Sequence, residues 1–296
     1  MRVVIAGSSG LIGTALVPRL REAGHEVVRL VRRTPHGPDE RGWDPSAGHI
    51  EPGALDGADA VVNLNGVGVG DKRWTGAFKQ ELRDSRLIPT DLLARAVAEK
   101  GIPVMVSASG VDYYADAGDM AIDENARSGT GFLSALCRDW ERATAPASDA
   151  GARVVLLRSG LVLSPSGGVM GRIKPLFRFG LGARLGSGKQ YWPWITLDDE
   201  VAVITHALES ETLTGPINAT GPAPVTNAEF TRCLAEHMGR PAPWFAPPIA
   251  LRVALGEFAD EALLTSKRAL PVKLEQDGYA FRHKTLGEAL HAVLDG

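Results

Sequence analysis

The chain has 296 residues, of which 44% are hydrophobic and 23% are charged, and its formal net charge at pH 7 is -3. This balance is ordinary for a globular protein with one large domain, or with a main domain and a smaller appendage. Proteins that bind nucleic acids or membrane surfaces usually carry an excess of basic residues. This chain lacks such an excess, so we expect neither kind of partner. No uncharged apolar run is long enough to span a bilayer.

The two cysteines, Cys137 and Cys233, lie in helix-like sequence without metal-ligating neighbours. We therefore expect buried free thiols, no metal site and a reducing, cytoplasmic setting. The first predicted strand begins within three residues of Met1, so a signal peptide is not expected there.

Residues 3–13 are the most informative stretch, because a β-branched apolar run leads through a G-x-x-G-x-x-G turn into helix-forming sequence. Gly7 is expected to let the chain leave the strand, Gly10 to let backbone approach a phosphate, and Gly13 to let the helix pack on the sheet. Backbone N–H groups at such a helix start form an anion site. A tight strand-to-helix turn without a ligand is the alternative. The predicted dinucleotide contacts are Gly7, Ser8, Ser9, Gly10, Leu11, Ile12 and Gly13.

Two arginines follow the next predicted strand, residues 26–31. An acidic residue at this point binds the ribose of NAD, whereas arginine accommodates the additional phosphate of NADP. Arg32 and Arg33 therefore predict NADP(H), although solvated charge would also explain them. The Gly- and Pro-rich segments 35–57 and 164–193 are predicted to be long loops.

Small and polar residues close the next two predicted strands. Residues 59–64 form a buried run that ends in a turn, and residues 104–109 end in serines. Because ligands of open α/β sheets bind at the carboxyl ends of the strands, we place cofactor contacts at Leu64, Asn65, Gly66 and Ser107. Lys72, Arg73 and Arg86 follow on the same rim and are candidate substrate contacts. A solvated helix face is the alternative for these cations.

The order of these motifs resembles the extended short-chain dehydrogenase/reductase superfamily. The resemblance rests on the glycine turn, Asn65-Gly66, Ser107-Ala108-Ser109, Trp140-Glu141 and Leu156-Leu157-Arg158. The chain is more closely similar to the epimerase-like subfamily, some members of which carry a cell-division inhibitor-like label, and this similarity adds Asp71-Lys72-Arg73-Trp74, Tyr113-Tyr114, the 180–188 loop and residues 256–261. The resemblance covers essentially the whole chain. It implies a doubly wound Rossmann α/β fold with a mostly parallel sheet, and a smaller C-terminal lobe on the substrate side.

Members of that superfamily usually carry a tyrosine and a lysine four residues apart on one helix, after a catalytic serine. The matching helix here holds neither, and Leu133 and Cys137 stand where the pair would be. One hypothesis keeps an NADP(H)-dependent reductase or epimerase in which Tyr113 or Tyr114, with Ser107 or Ser109, handles the proton. A second makes Cys137 a nucleophile, which lacks a neighbouring cation. A third is a non-catalytic NADP(H) sensor.

The C-terminal third supplies aromatic and cationic candidates for a substrate cleft. Trp192, Trp194, Arg178 and Arg184 suit an anionic or ring-containing small molecule, such as a sugar nucleotide. We expect a cofactor domain over residues 1–165, to which 190–220 return, and a smaller domain from 166–189 and 221–296. That smaller domain is expected to close over the cleft and exclude water.

Overall fold

The computed structural model describes residues 1–165 and 167–295. Its strands are β1 (Arg2–Ala6), β2 (Glu26–Val31), β3 (Glu40–Asp44), β4 (His49–Ile50), β5 (Ala60–Asn63), β6 (Val104–Gly110), β7 (Ala121–Ile122), β8 (Arg153–Ser159), β9 (Leu161–Ser164), β10 (Ala183–Leu185), β11 (Tyr191–Trp192), β12 (Trp194–Thr196), β13 (Gly215–Ala219), β14 (Val225–Thr226), β15 (Trp244–Ala246) and β16 (Arg268–Ala269). Its α-helices are α1 (Leu11–Glu22), α2 (Gly76–Lys100), α3 (Phe132–Arg142), α4 (Ala145–Asp149), α5 (Gly168–Arg178), α6 (Leu197–Glu209), α7 (Asn227–His237), α8 (Pro248–Leu255), α9 (Val272–Gln276) and α10 (Leu286–Asp295).

Eight strands form the central sheet in the order β13-β8-β6-β5-β1-β2-β3-β4. Every neighbouring pair is parallel except β3 and β4. From β1 the chain builds outward to β2 and β3, and then returns to add β5, β6, β8 and β13 on the other side. The strand order therefore reverses between β1 and β5, which is where such sheets bind ligands. The predicted doubly wound α/β fold is confirmed.

Side chains of the central strands alternate between two buried layers. Val3 and Ile5 pack with residues of α1 and α6, whereas Val4 and Ala6 pack with residues of α2. All four are fully buried, as expected for a strand covered by helices on both faces. Helix α1 continues through Pro18, so that proline does not end the helix.

The prediction of long loops was wrong in two places. Residues 35–57 contain β3 and β4, and Trp43 of β3 is buried in the core. Residues 164–193 contain α5, β10 and β11. Glycine and proline mark the turns in these segments, but they did not reveal the short elements between them.

The C-terminal lobe has its own apolar cluster, to which α5, α7 and α10 contribute. Leu274 and Phe281, by contrast, pack into the main core beside the central sheet. The two-part division of the chain stays a proposal, and this packing places the 274–281 segment with the main domain. No helix in the described part of the chain is long and apolar enough to cross a membrane.

Candidate functional site

Parallel pairing brings the ends of β1, β5, β6 and β8 to one edge of the sheet. Ala6 pairs with Asn63, Asn63 with Ser107, and Ser109 with Arg158. The loops that leave these residues hold most of the predicted site residues, so the structure assembles them along one rim.

Each of the three positions in the first turn is glycine for a different physical reason. Gly7 has a φ of 85°, and a Cβ there would lie 2.7 Å from the carbonyl carbon of Leu64. A Cβ on Gly13 would lie 2.4 Å from the Gly7 carbonyl oxygen, so Gly13 packs on the turn itself. At Gly10, however, the nearest described protein atom would be 3.4 Å away, an ordinary contact. The fold thus requires Gly7 and Gly13, whereas Gly10 leaves open space above the turn.

The start of α1 lies at this open space. Gly10 is its N-cap, and no described side chain caps the helix there. The first turn contains no acidic residue, so nothing on the helix itself neutralises its positive end. Ser8 is buried and Ser9 is exposed beside it. Backbone N–H groups of Leu11, Ile12 and Gly13 at such an end suit an anion.

The two arginines after β2 differ in their surroundings. Arg33 donates two hydrogen bonds to Glu40, Nη1 to Oε2 at 2.8 Å and Nη2 to Oε1 at 2.6 Å. The hydrogen bond from Arg33 lowers the pKa of the Glu40 carboxyl to about 2. Arg32 is exposed and has no partner among residues 1–165 and 167–295. Arg32 is therefore the free cation at this strand end.

The end of β5 is organised by the buried side chain of Asn63. Its amide donates to the Thr90 hydroxyl at 2.7 Å and the Ser107 hydroxyl at 3.0 Å, and its oxygen accepts from the Asn65 side chain at 2.7 Å. Ser107 is fully buried. The predicted contact at Ser107 is thus placed beneath the rim, while Leu64, Asn65 and Gly66 lie on it.

A buried ion pair links the end of β8 to α3, and the end of β6 joins it through Ser109. Arg158 contacts Glu141 through Nε to Oε1 at 2.8 Å and Nη2 to Oε2 at 2.9 Å, and only 3% of the arginine is exposed. The Ser109 hydroxyl donates to Glu141 Oε1 at 2.8 Å. The Trp140-Glu141 and Leu156-Leu157-Arg158 motifs therefore meet in one ionic network, and Ser109 is committed to it.

The two adjacent tyrosines are placed differently. Tyr114 is 1% exposed; its hydroxyl donates to Asn218 Oδ1 at 2.6 Å and accepts from Arg158 Nη1 at 3.0 Å. Burial raises the pKa of Tyr114 to about 12. Tyr113 is partly exposed, the Arg158 guanidinium lies 3.5 Å from its ring centre, and no described residue hydrogen bonds to its hydroxyl.

The positions of the absent tyrosine and lysine are buried. Burial raises the pKa of the Cys137 thiol to about 12, so the geometry does not favour a thiolate nucleophile. The backbone N–H of Leu133 donates to Glu261 Oε2 at 2.7 Å, and that of Phe132 to Oε1 at 2.7 Å. Nearby, the buried Lys267 ammonium contacts Asp112 Oδ1 at 2.5 Å.

The three predicted substrate cations that follow β5, Lys72, Arg73 and Arg86, are all engaged within the protein. Lys72 contacts Glu81 at 2.8 Å. Arg73 donates to the carbonyl oxygens of Val253 and Ala254 at 3.0 and 3.2 Å, near the end of α8. Arg86 is 8% exposed and donates to the Val67 carbonyl oxygen at 2.9 Å. These contacts tie the 66–74 loop to its neighbours, so free cations must be sought elsewhere.

The aromatic candidates also differ from expectation. Trp194 is fully buried and donates to the Ala223 carbonyl oxygen at 2.9 Å, so it does not line an open cleft. Trp192 is partly exposed and packs on Phe230. Arg178 and Arg184 are exposed. A cavity of about 610 Å³ lies beside Arg184, Arg240 and Trp244, away from the glycine turn.

Sequence reasoning missed Glu40, Glu261 and Lys267. Glu40 was missed because the sequence predicts a loop over the segment that contains it. Glu261 lies in the 256–261 motif, which was used for resemblance and not for chemistry. Both cysteines are free thiols, as predicted, but Cys233 is partly exposed.

Comparison with known proteins agrees with this geometry. Residues 3–219 match the NAD dependent epimerase/dehydratase family, and residues 246–293 match a domain of unknown function, DUF1731. Epimerase family protein MT2273 of Mycobacterium tuberculosis is 55% identical over 97% of this chain and 96% of its own length.

Two solved structures are also similar. Human epimerase family protein SDR39U1 (isoform 2), crystallised with NADPH, superposes with a TM-score of 0.92 at 35% identity, over 100% of this chain and 99% of that one. The nucleoside-diphosphate sugar epimerase of Corynebacterium glutamicum gives 0.82 at 38% identity, over 99% of this chain and 58% of that longer one. With the glycine turn, the strand order and these matches in agreement, the chain belongs to the NAD dependent epimerase/dehydratase family.

Proposed function

We propose that this protein is an NADP(H)-dependent oxidoreductase or epimerase-like enzyme that acts on an anionic small molecule. The observation that carries the proposal is the open space above Gly10, at the uncapped start of α1 and on the same rim as the unpartnered Arg32. Packing within the fold accounts for glycine at positions 7 and 13 but not at position 10. A ligand that approaches the turn would account for Gly10. The NADPH-bound human relative supports the same ligand.

The residues present fit the cofactor. Backbone N–H groups of residues 11–13 and the Ser9 hydroxyl would hold the pyrophosphate, and Arg32 the 2′-phosphate. Leu64, Asn65 and Gly66 would line the edge above β5. Bound NADP(H) supplies or accepts the hydride; the protein's task is to orient it, exclude water and handle one proton.

Tyr113 is the proposed proton donor. Of the two tyrosines it alone has a hydroxyl without a described partner, and the Arg158 guanidinium lies 3.5 Å from its ring centre. Tyr114, Ser107 and Ser109 were candidates too, but their hydroxyls are already bonded in buried networks. We propose that these three position the rim rather than contact the reacting atoms.

The proposed substrate carries negative charge. Arg178 is exposed at the end of α5, in the segment that we propose closes over the cleft, and it has no partner in the described ranges. The 167–196 segment contains Arg172, Lys174, Arg178, Arg184 and Lys189 and no acidic residue. A sugar nucleotide fits this charge, and the name of the Corynebacterium glutamicum relative points to the same class.

A non-catalytic NADP(H) sensor is the second candidate, and one observation favours it. The positions that match the absent tyrosine and lysine are filled by buried Leu133 and Cys137, which cannot transfer a proton at neutral pH.

Fluorescence titration with NADPH and NADH, on wild type and on Arg32→Ala and Arg33→Ala, tests cofactor binding. We expect saturable NADPH binding that Arg32→Ala weakens about tenfold or more, and Arg33→Ala less, because Glu40 already neutralises Arg33. Failure of both nucleotides to bind would overturn both candidate functions.

Turnover of sugar nucleotides and carbonyl compounds then separates the two candidates. If the enzyme proposal is right, Tyr113→Phe abolishes turnover while NADPH affinity is retained, and folded Tyr114→Phe keeps measurable activity. NADPH binding without turnover of any tested compound supports the sensor.

A further inference from the structure

Three side chains of types that bind metal ions converge where α7 packs beside α10. His237 is the last residue of α7, and His291 and Asp295 lie one turn apart on α10. One ligand atom from each residue lies within 4.8 Å of the others. Among the residues that the structure describes, this is the one cluster of this kind.

Both imidazoles contact the same carboxylate oxygen. His237 Nε2 lies 2.9 Å from Asp295 Oδ2, and His291 Nδ1 lies 2.7 Å from it. The two rings are neighbours, with centroids 6.1 Å apart at 65°. The side chain of His237 is 22% exposed and that of Asp295 is 50% exposed, so the cluster opens to solvent on one side.

Two imidazole nitrogens and one carboxylate oxygen form a donor set that suits Zn²⁺, whereas Mg²⁺ and Ca²⁺ prefer oxygen ligands throughout. Zinc bonds of about 2.0–2.1 Å at tetrahedral angles place ligand atoms roughly 3.3 Å apart. The contacts of 2.7 and 2.9 Å must therefore open by about 0.5 Å. Rotation of the His291 ring, which is 76% exposed, allows this.

Helix polarity favours a cation at the same point. His237 ends α7 and Asp295 ends α10, so two helix C-termini, each with partial negative charge, meet beside the cluster. The helices already pack through apolar side chains that include Leu234 and Leu290. We propose that His237, His291 and Asp295 bind one Zn²⁺, with water as the fourth ligand, and so fasten the final helix to α7.

Cys233 lies one turn before His237 on α7 and provides a matched control. Its Sγ contacts Arg232 Nη2 at 3.5 Å, and its thiol is not among the converging ligand atoms. Burial raises the pKa of the Cys233 thiol, which disfavours the thiolate that zinc requires. The proposed site therefore does not include Cys233.

Calorimetric titration of the untagged full chain with Zn²⁺ tests the proposal, and Co²⁺ absorption reports the coordination geometry. We expect one ion per chain and a rise in Tm on zinc addition. His237→Ala and His291→Ala should each weaken binding about tenfold or more and abolish the Tm rise. Cys233→Ser and His49→Ala, a change of an exposed histidine on β4, should leave both unchanged.

If a histidine variant loses stability without metal, Asp295→Asn tests the same site with nearly unchanged side-chain volume. Absence of saturable one-to-one binding, or binding that survives all three substitutions, overturns the proposal. Loss of binding in Cys233→Ser overturns the three-residue assignment. NADPH titration of the same samples is independent of either result.

Discussion

The glycine turn between β1 and α1 and the β6 end beside α3 are two halves of one rim, but they are built differently. The turn consists of backbone, and the absence of a side chain at Gly10 leaves space above it. The β6 end consists of charged side chains that are already paired, with Ser109, Glu141, Arg158 and Tyr114 in one network. The first half is therefore ready for a ligand, whereas the second is mainly a scaffold.

The largest expected effect is at the ionic scaffold. Glu141→Gln leaves the buried Arg158 guanidinium without its counter-charge, and this should reduce the free energy of unfolding by about 3–5 kcal/mol. Urea unfolding measures the loss. The double variant Glu141→Leu with Arg158→Met should be more stable than the sum of the two single changes predicts. Single changes that each cost under about 1 kcal/mol would show that the network is not a scaffold.

The glycine turn gives the next largest effect. Substitution of Gly7 should affect stability, whereas substitution of Gly10 should affect NADPH binding. Gly7→Ala combines a φ of 85° with a contact of 2.7 Å to Leu64, so we expect a loss of about 3 kcal/mol. Gly10→Ala should leave Tm nearly unchanged and weaken NADPH binding. Thermal unfolding and NADPH titration on both variants check this. Equal loss of Tm in the two would show that Gly10 is also architecture.

This contrast also explains what the sequence could reveal. The β1 turn was predictable because glycine at fixed spacing reports backbone geometry directly. Strand β3 was missed because its sequence, Glu40-Arg41-Gly42-Trp43-Asp44, lacks an apolar alternation, and Glu40 is buried only through its arginine partners. Pairing of that kind depends on the folded neighbourhood.

The β6 half was predictable in its residues but not in their roles. The motifs contained Ser109, Tyr114, Glu141 and Arg158, but only the contacts show that these side chains bond to one another. Glu261 and Lys267 reach the site from 129 and 155 residues away along the chain, and no spacing rule covers such distances. The cluster of His237 with His291 and Asp295 was missed for the same reason, and a site without metal ligands was expected.

Two neighbouring residues of strand β8 allow a buried charge with an ionic partner to be compared with a buried carboxyl group that lacks one. Arg158 is fully paired, whereas the next residue, Ser159, contacts Glu200, whose Oε2 is buried without a partner among the described residues. Burial raises the pKa of Glu200 to about 7. Because the folded state holds this proton more tightly than the unfolded chain, stability is lost as pH rises from about 4.5 to about 7 and stays lost above it.

Glu200→Gln should therefore stabilise the protein at pH 8 by up to about 3 kcal/mol and have little effect at pH 4. Chemical unfolding across this pH range measures the difference between variant and wild type. The exposed Glu211→Gln is the control and should show no such pH dependence. A difference that does not change between pH 4 and pH 8 would contradict the raised pKa.

The smallest expected effect concerns how the C-terminal segment is held against the rim. Helix α3 has Gly131 as its N-cap and no capping side chain of its own, and the Glu261 carboxylate accepts from its first two N–H groups instead. Glu261→Gln removes a charge that favours the positive helix end, so we expect a loss of about 1 kcal/mol. Thr75→Ala, which removes the local cap of α2, should cost about the same and serves as the matched control.

The two variants should differ in where they loosen the protein. Glu261 links α3 to a segment that is distant in sequence, so its loss should increase amide hydrogen exchange at residues 256–267 as well as at α3. Thr75 and Phe78 belong to one helix, so Thr75→Ala should affect the start of α2 alone. Exchange limited to α3 in Glu261→Gln would mean that Lys267 and the other contacts hold the segment without it. Several contacts, rather than the Glu261 carboxylate alone, would then hold the C-terminal lobe against α3 and the β6 end.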